Sequence, residues 1–195
     1  ALAGGYASVP LFQNVAGYSL ETGHWLVEPG MGIQAAIQRA SAGEAIDLAE
    51  GDFAPTATIL VNKSLTISGA GSESTHIATT ASGYGMSISA DGVSLSGFTL
   101  DGSDTFGVKA SGVANFSLDD VAAINGGRSA IDLNSVDGAT LTNIAASNTA
   151  LGYGLAISSS SNITVNGIAT STNSYGDIGI FPAQPQYQDA GLEAP

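Results

Sequence analysis

Apolar and polar positions alternate in short bursts between residues 84 and 181, and the bursts return on a nearly constant step. The stretches VSLSGFTL (93–100), FSLDDVAAI (116–124), ATLTNIAAS (139–147) and ITVNGIATS (163–171) superimpose, so Leu95, Leu118, Leu141 and Val165 recur in almost equal steps. Seven or eight positions ahead of each lies a shorter apolar pair, Met86 with Ile88, Val108 with Ala110, Ile131 with Leu133 and Leu155 with Ile157, and the series closes with Ile178 and Ile180. Alternation with a period of two is the mark of a strand with one buried face, and the glycines are too frequent for helix interiors.

A repeat of about 23 residues, cut into three strands, is the length of one loop of a solenoid that lies on the next at the strand spacing of about 4.8 Å. Three inward columns follow: Met86, Val108, Ile131 and Leu155; Leu95, Leu118, Leu141 and Val165; Phe98, Val121, Ile144 and Ile168. Only stacking buries them, because a single coil has no second face. Parallel strands connect in the right-handed sense in nearly all cases. The predicted fold is therefore all-β, a right-handed single-stranded parallel β-helix.

Before the repeat, Ile33, Ala36, Ile37 and Ala40 follow a helical period with Arg39 on the wet side and Gly43 placed to stop the helix. AIDLAEGDF (45–53), TILV (58–61), SLTIS (64–68) and THIAT (75–79) read as strands of a less regular opening. Three regions are expected: an extended segment over 1–29, the β-helix with its helix over 30–181, and a proline-containing tail or linker over 182–195.

Charge narrows the partners. The chain has 17 acids against 4 bases, a net charge of −13, which opposes nucleic acid, anionic membranes and polyanionic glycans. There is no cysteine, so disulfides and thiolate chemistry are excluded. No apolar run reaches the roughly 18–20 residues of a membrane span, and the opening ALAGGYAS lacks the basic start and apolar core of an export signal.

The stretch GIQAAIQRASAGEAIDLAEGDF, followed by LTISGAG and by the coils above, resembles the opening of pectin-lyase-like right-handed β-helix proteins, a family that includes pectate and alginate lyases, mannuronan epimerases and phage tailspikes. The resemblance spans about residues 30–181. It implies that the helix caps the first coil and that the outer face of the first strand floors any groove. It also implies an asparagine stack at the turn between second and third strands, but Gly97, Asp120, Asn143 and Gly167 stand there, so the stack is interrupted. The epimerase Asp-Pro-His-Glu motif and the acid cluster of the calcium-dependent lyases are absent.

On the outer face of the first strand Lys109 and Asp132 fall one coil apart, with Arg128 and Tyr153 in the loops entering it. An amine beside a carboxylate could exchange protons with a sugar ring, Tyr153 acting as donor; the alternative is a surface ion pair contributing at most about 1 kcal/mol. The second strand presents hydroxyls, Thr66, Ser94, Ser96, Ser117, Thr140, Thr142, Thr164 and, beside them, Asn166, which suit a glycan or an ordered water lattice and equally suit a plain solvated strand face. Ala122, Ala145 and Ala169 make a flat strip on the third strand, suited to the chain's own 1–29 segment, its C-terminal tail or a neighbouring molecule. Ile178 and Ile180 mark an open last coil. Asp101 and Asp104, and Asp119 with Asp120, are the weak candidates for calcium, and turn formation explains them as well. Trp25, Tyr18 and Phe12 suit a sugar-stacking platform, and are read first as aromatic anchors of the N-terminal segment.

The expectation is a non-catalytic extracellular or cell-surface module with a structural, adhesive or self-assembling role, its partner a glycan or copies of itself, with no cofactor unless calcium. The alternatives are a polysaccharide lyase or uronate epimerase using Lys109, Asp132, Tyr153 and Arg128, and an ice-binding face.

Overall fold

The computed structural model describes residues 17–18 and 23–182. In chain order the elements are β1 (Gly17–Tyr18), β2 (His24–Val27), α1 (Ile33–Arg39), β3 (Ala45–Leu48), β4 (Gly51–Phe53), β5 (Ile59–Val61), β6 (Thr66–Ser68), β7 (Thr75–Ala78) and β8 (Met86–Ile88). The regular coils follow: β9 (Ser94–Ser103), β10 (Val108–Ser111), β11 (Ala114–Gly126), β12 (Ile131–Asn134), β13 (Asp137–Ser147), β14 (Tyr153–Ser158), β15 (Ser161–Ser171) and β16 (Gly176–Phe181). Two sheets wrap one core. The first runs β1-β2-β3-β6-β9-β11-β13-β15 with β4 and β7 alongside, and the second runs β5-β8-β10-β12-β14-β16. Apart from the β1–β2 pair every ladder is parallel. The fold class read from the sequence, a right-handed parallel β-helix with one short N-terminal helix, is the one found.

The predicted columns are register partners. Leu95 pairs with Leu118, Leu118 with Leu141 and Leu141 with Val165. The Phe98 and Met86 columns pair in the same way, and all three are buried until the last coil, where Val165 and Ile168 are half-buried. Two further columns complete the filling, Phe116 over Ala139 and Leu100 over Ala123. Full burial of each Leu or Ile contributes roughly 1.5–3 kcal/mol.

The expected second and third strands are one. β9, β11, β13 and β15 run on as single strands of 10 to 13 residues, bent where the backbone turns left-handed at Gly97, Asp120, Asn143 and Gly167. Left-handed φ suits Gly and, next, Asn and Asp, so the position keeps one conformation while its residue type varies. A side chain at Gly97 would put its Cβ 2.7 Å from the Gly69 carbonyl. With Gly97 bare, the Asp120 carboxylate reaches across to the turn two coils away, accepting the Ser72 backbone N–H at 3.0 Å and the Ser72 hydroxyl at 2.6 Å.

The N-terminal end is closed. α1 buries Ile33, Ala36 and Ile37 and leaves Arg39 wet, as its period predicts. Lys63 Nζ donates to the carbonyls of Ile37, Gln38 and Ala40 at 2.7–3.0 Å, satisfying the orphan acceptors of the last turn. The Gln34 amide stands in for a missing strand, accepting Leu60 N–H at 2.7 Å and donating to Leu60 O at 3.2 Å. The expected boundary at residue 30 moves back, because β2 already lies in register on β3, Val27 opposite Leu48. Of the three aromatic anchors, Phe12 falls outside the described residues and Tyr18 is described only as part of β1; Trp25 packs against the core.

Trp25 Nε1 donates to Glu44 Oε2 at 2.8 Å and Ser41 N–H adds a second bond at 2.9 Å, and together they hold the Glu44 carboxyl below its usual range. A carboxyl depressed by folding stabilises the fold above its unfolded pKa of about 4.3, and that contribution is lost as pH falls through the lower folded value. Glu44→Gln is therefore expected to lose less stability than the unmodified chain between about pH 5 and pH 3, read from urea midpoints. An equal loss in both would show that the bond carries no linkage.

Candidate functional site

The outer face of the second sheet carries a row in which Leu60, Ser87, Lys109, Asp132, Ala156 and Gly179 are consecutive register partners. Sequence reasoning placed Lys109 beside Asp132, and the two are in contact, Lys109 Nζ donating to Asp132 Oδ2. It also expected a surface pair. The side chains are instead only 16% and 10% exposed. The Phe106 ring lies against the lysine, its centroid 4.6 Å from Lys109 Nζ and 5.7 Å from the Arg128 guanidinium. Two of the four bases in the chain thus converge on one ring. One is neutralised by Asp132, and the other has no acid partner among the described residues.

Rings continue on either side. Tyr84 packs against Phe106 at 5.8 Å, and Tyr153 makes edge contacts with Tyr175 at 5.9 Å and Phe181 at 5.5 Å. The result is a ribbon along the solenoid axis: Tyr84, Phe106, Arg128, Tyr153 and Tyr175, one from each successive coil. The Tyr153 and Phe181 rings lie over Gly179, where a Cβ would come within 3.0 Å of both. Tyr153 therefore leans toward the last coil and makes no hydrogen bond to Lys109 or Asp132. The four residues proposed as an acid/base set split into two groups, Lys109, Asp132 and Arg128 around Phe106, and Tyr153 with its own ring cluster.

Tyr84, Phe106, Tyr175 and Phe181 escaped the sequence reading, though a signal was present. Tyr84-Gly85, Phe106-Gly107, Tyr153-Gly154 and Tyr175-Gly176 each precede or open a strand of the second sheet. The glycine is required where coils touch backbone to backbone: a Cβ at Gly107 would sit 2.5 Å from the Ala130 carbonyl, and one at Gly154 would sit 2.9 Å from that of Ala146.

The other expected sites are placed as follows. Thr66, Ser94, Ser117, Thr140 and Thr164 form one outer row of the first sheet, and Ser68, Ser96, Asp119, Thr142 and Asn166 its neighbour. Hydroxyls bond along these rows, Ser117 to Ser94 at 2.9 Å and Ser96 to Ser68 at 3.0 Å, which spends donors that a ligand would need. Ala122, Ala145 and Ala169 continue a row from His76 and Thr99. Of the segment 1–29 expected to cover them, residues 24–27 lie on β3 instead, and residues 1–16 and 19–22 lie outside the described residues. The four aspartates do not converge. Asp120 holds Ser72, Asp101 accepts from Asn125 at 2.7 Å, and among the described residues no three acids or histidines gather to hold a metal ion. His24 pairs with Asp47 and His76 with Asp52 on the surface.

No protein-family model and no curated protein sequence matches the chain. Solved structures do match. Over 71% of this chain, a Geobacillus virus E2 protein, ORF18, superimposes with a TM-score of 0.65 at 18% identity, and an alginate lyase from Paenibacillus sp. str. FPU-7 with 0.62 at 20%. The pectate lyase Pel9A superimposes over 84% with 0.53 at 15% identity. The chain has the pectin-lyase-like β-helix fold. It spans 32% of the viral protein, 55% of the alginate lyase and 52% of the pectate lyase. At these identities the likeness concerns the β-helix alone, and what the β-helix carries must be read from its own face.

Proposed function

We propose that this β-helix is a non-catalytic, extracellular or cell-surface module that lays a largely neutral glycan along the ring ribbon of its second sheet. The observation that carries this reading is the ribbon itself: four rings and a guanidinium from five consecutive coils on one outer face, with the rings half-buried to exposed. Aromatic faces pair an apolar surface with low conformational entropy and suit the C–H faces of sugar rings. Arg128 adds N–H donors for sugar oxygens. Neutral polymer is favoured over polyuronate by the net charge of −13, which the one unpaired guanidinium of the face does not offset. Two of the matched structures are polysaccharide lyases, which supports glycan contact as the use of such a face.

The lyase or epimerase reading uses the same face and loses ground on one point. A base that takes a proton must have a free lone pair within reach of it, whereas Lys109, against the Phe106 ring, is bonded to Asp132, and Tyr153 is turned away. No cofactor enters the proposal, so calcium is expected to leave binding unchanged.

Affinity electrophoresis against neutral polysaccharides and polyuronates, with and without calcium, tests the reading. Retardation by a neutral polymer is expected, weakened about tenfold by Phe106→Ala or Arg128→Ala, the size of a lost stacking or cation–π contact. Unsaturated or epimerised product from any polymer would make the module an enzyme, and indifference to every polymer would end the glycan reading.

A further inference from the structure

Asparagine followed by glycine can close on itself. The glycine nitrogen attacks the side-chain Cγ, an N–Cγ bond forms, the Cγ–Nδ2 bond breaks, and ammonia leaves carrying the amide proton. One water then opens the five-membered imide at either carbonyl, which yields aspartate or, where the main chain is rerouted through the side chain, isoaspartate. Glycine favours the attack because it has no Cβ in the way. Aspartate before glycine follows the same path less readily, since a carboxylate resists a nucleophile.

Five such pairs occur in the chain: Asp91-Gly92, Asp101-Gly102, Asn125-Gly126, Asp137-Gly138 and Asn166-Gly167. Four have their side chains held. Asp91 Oδ1 accepts the Ala114 backbone N–H at 2.7 Å, and Asp137 Oδ1 accepts the Ser161 hydroxyl at 2.7 Å and Asn162 Nδ2 at 2.8 Å. Asn125 and Asp101 hold each other, Nδ2 donating to Oδ1 at 2.7 Å. A negative charge bonded to the Asn125 amide also opposes a deprotonated nitrogen at Gly126. Gly126 is itself buried and in register with Ser103, and its carbonyl accepts the Ala150 N–H at 2.9 Å.

Asn166-Gly167 differs on each count. Both residues are exposed, and the Asn166 side chain makes no hydrogen bond among the described residues. Gly167 is the left-handed bend of β15, at φ 82°, and it falls between the register pairs Thr142 with Asn166 and Ile144 with Ile168. The flanking Val165 and Ile168 are only half-buried, whereas Val121 and Ala123, ahead of Asn125, are fully buried. A segment with few buried contacts opens at low cost, and opening lets the glycine nitrogen reach the amide carbon.

We propose that Asn166-Gly167 is a site of spontaneous covalent modification, its amide converting to aspartate and isoaspartate while the other four pairs persist. The isoaspartate product lengthens the main chain ahead of Ile168–Ser171, the residues that register on Ile144–Ser147, and so displaces the end of the Phe98 column. Either product adds a negative charge to a chain already at −13. The inference is independent of the glycan reading, since Asn166 lies on the first sheet and the ring ribbon on the second.

The full chain, held in mildly alkaline buffer and digested at intervals, provides the test, with peptide mass spectrometry to locate each lost amide and a protein isoaspartate methyltransferase to label the isoaspartate. Asn166 is expected to convert about tenfold or more faster than Asn125, the factor imposed when a hydrogen bond to a charged group must break before the amide can react. In guanidinium, where both pairs are free, the two rates should converge. Asn166→Gln, which would need a larger ring, should abolish the early phase with an unchanged circular dichroism spectrum. The inference is overturned if, in the folded chain, Asn125 or one of the aspartate pairs converts as fast as Asn166. It is equally overturned if Asn166 keeps its amide over a period in which the unfolded chain loses it, or if the difference between the two asparagines persists in guanidinium.

Discussion

Leu118→Ala is expected to lower the stability of the fold by about 3–5 kcal/mol, the range for emptying a buried leucine site that cannot collapse. Leu118 stands between Leu95 and Leu141 in the middle of a column, and all three are buried. Coils above and below are fixed at the strand spacing by their own ladders, so neither neighbour can move into the void. Val165→Ala, in the last coil, removes a half-buried side chain and is expected to cost only about 1 kcal/mol. Guanidinium unfolding midpoints for the two variants check the contrast. Equal effects would mean that position along the column does not matter, as it must if stability is a sum of coil and neighbour terms.

That column was readable because its step is regular. From Ser94 through Ser117 and Thr140 to Thr164 the register advances in almost equal steps. Before it, the partners His24, Ala45, Thr66 and Ser94 are unequally spaced, the step from Thr66 to Ser94 being the longest, because the opening coils carry turns of different length. A reading that depends on period therefore begins the β-helix at residue 30 and overlooks His24–Val27. The bend inside β11 and its neighbours was hidden for another reason: a single left-handed residue turns the chain without breaking the alternation on either side.

The site was half legible. Lys109 opposite Asp132 follows from register alone, and so does the outward direction of both. What register cannot say is that Phe106, from the loop ahead of the strand, packs over Lys109, nor that the pair is largely out of water. The same applies to Gln34 on Leu60 and Lys63 on α1, where a side chain reaches sideways to a backbone group distant in sequence. Inward positions are dictated by the solenoid. The outer surface, where function resides, is shaped by loop side chains that obey no period, which is why the fold was clear and the ring ribbon was not.

Asp132→Leu is expected to destabilise the protein by about 3 kcal/mol, because it leaves the Lys109 ammonium covered and unpaired. Lys109→Met should cost a similar amount, since it strands the carboxylate and also forfeits the contact with Phe106, worth roughly 0.5–1 kcal/mol. The double variant Lys109→Met with Asp132→Leu removes both charges and refills the space, and is expected to lie within about 1 kcal/mol of the unmodified chain. Chemical unfolding of the four proteins gives the coupling energy directly. The same set separates the two functional readings, because neither residue of the pair touches glycan in the proposed mode: the double variant should keep its retardation by neutral polymer, with Arg128 and the rings in place. If it folds normally yet loses binding, the pair belongs to the site rather than to its support, and the face is closer to that of an enzyme than the ring ribbon alone implies.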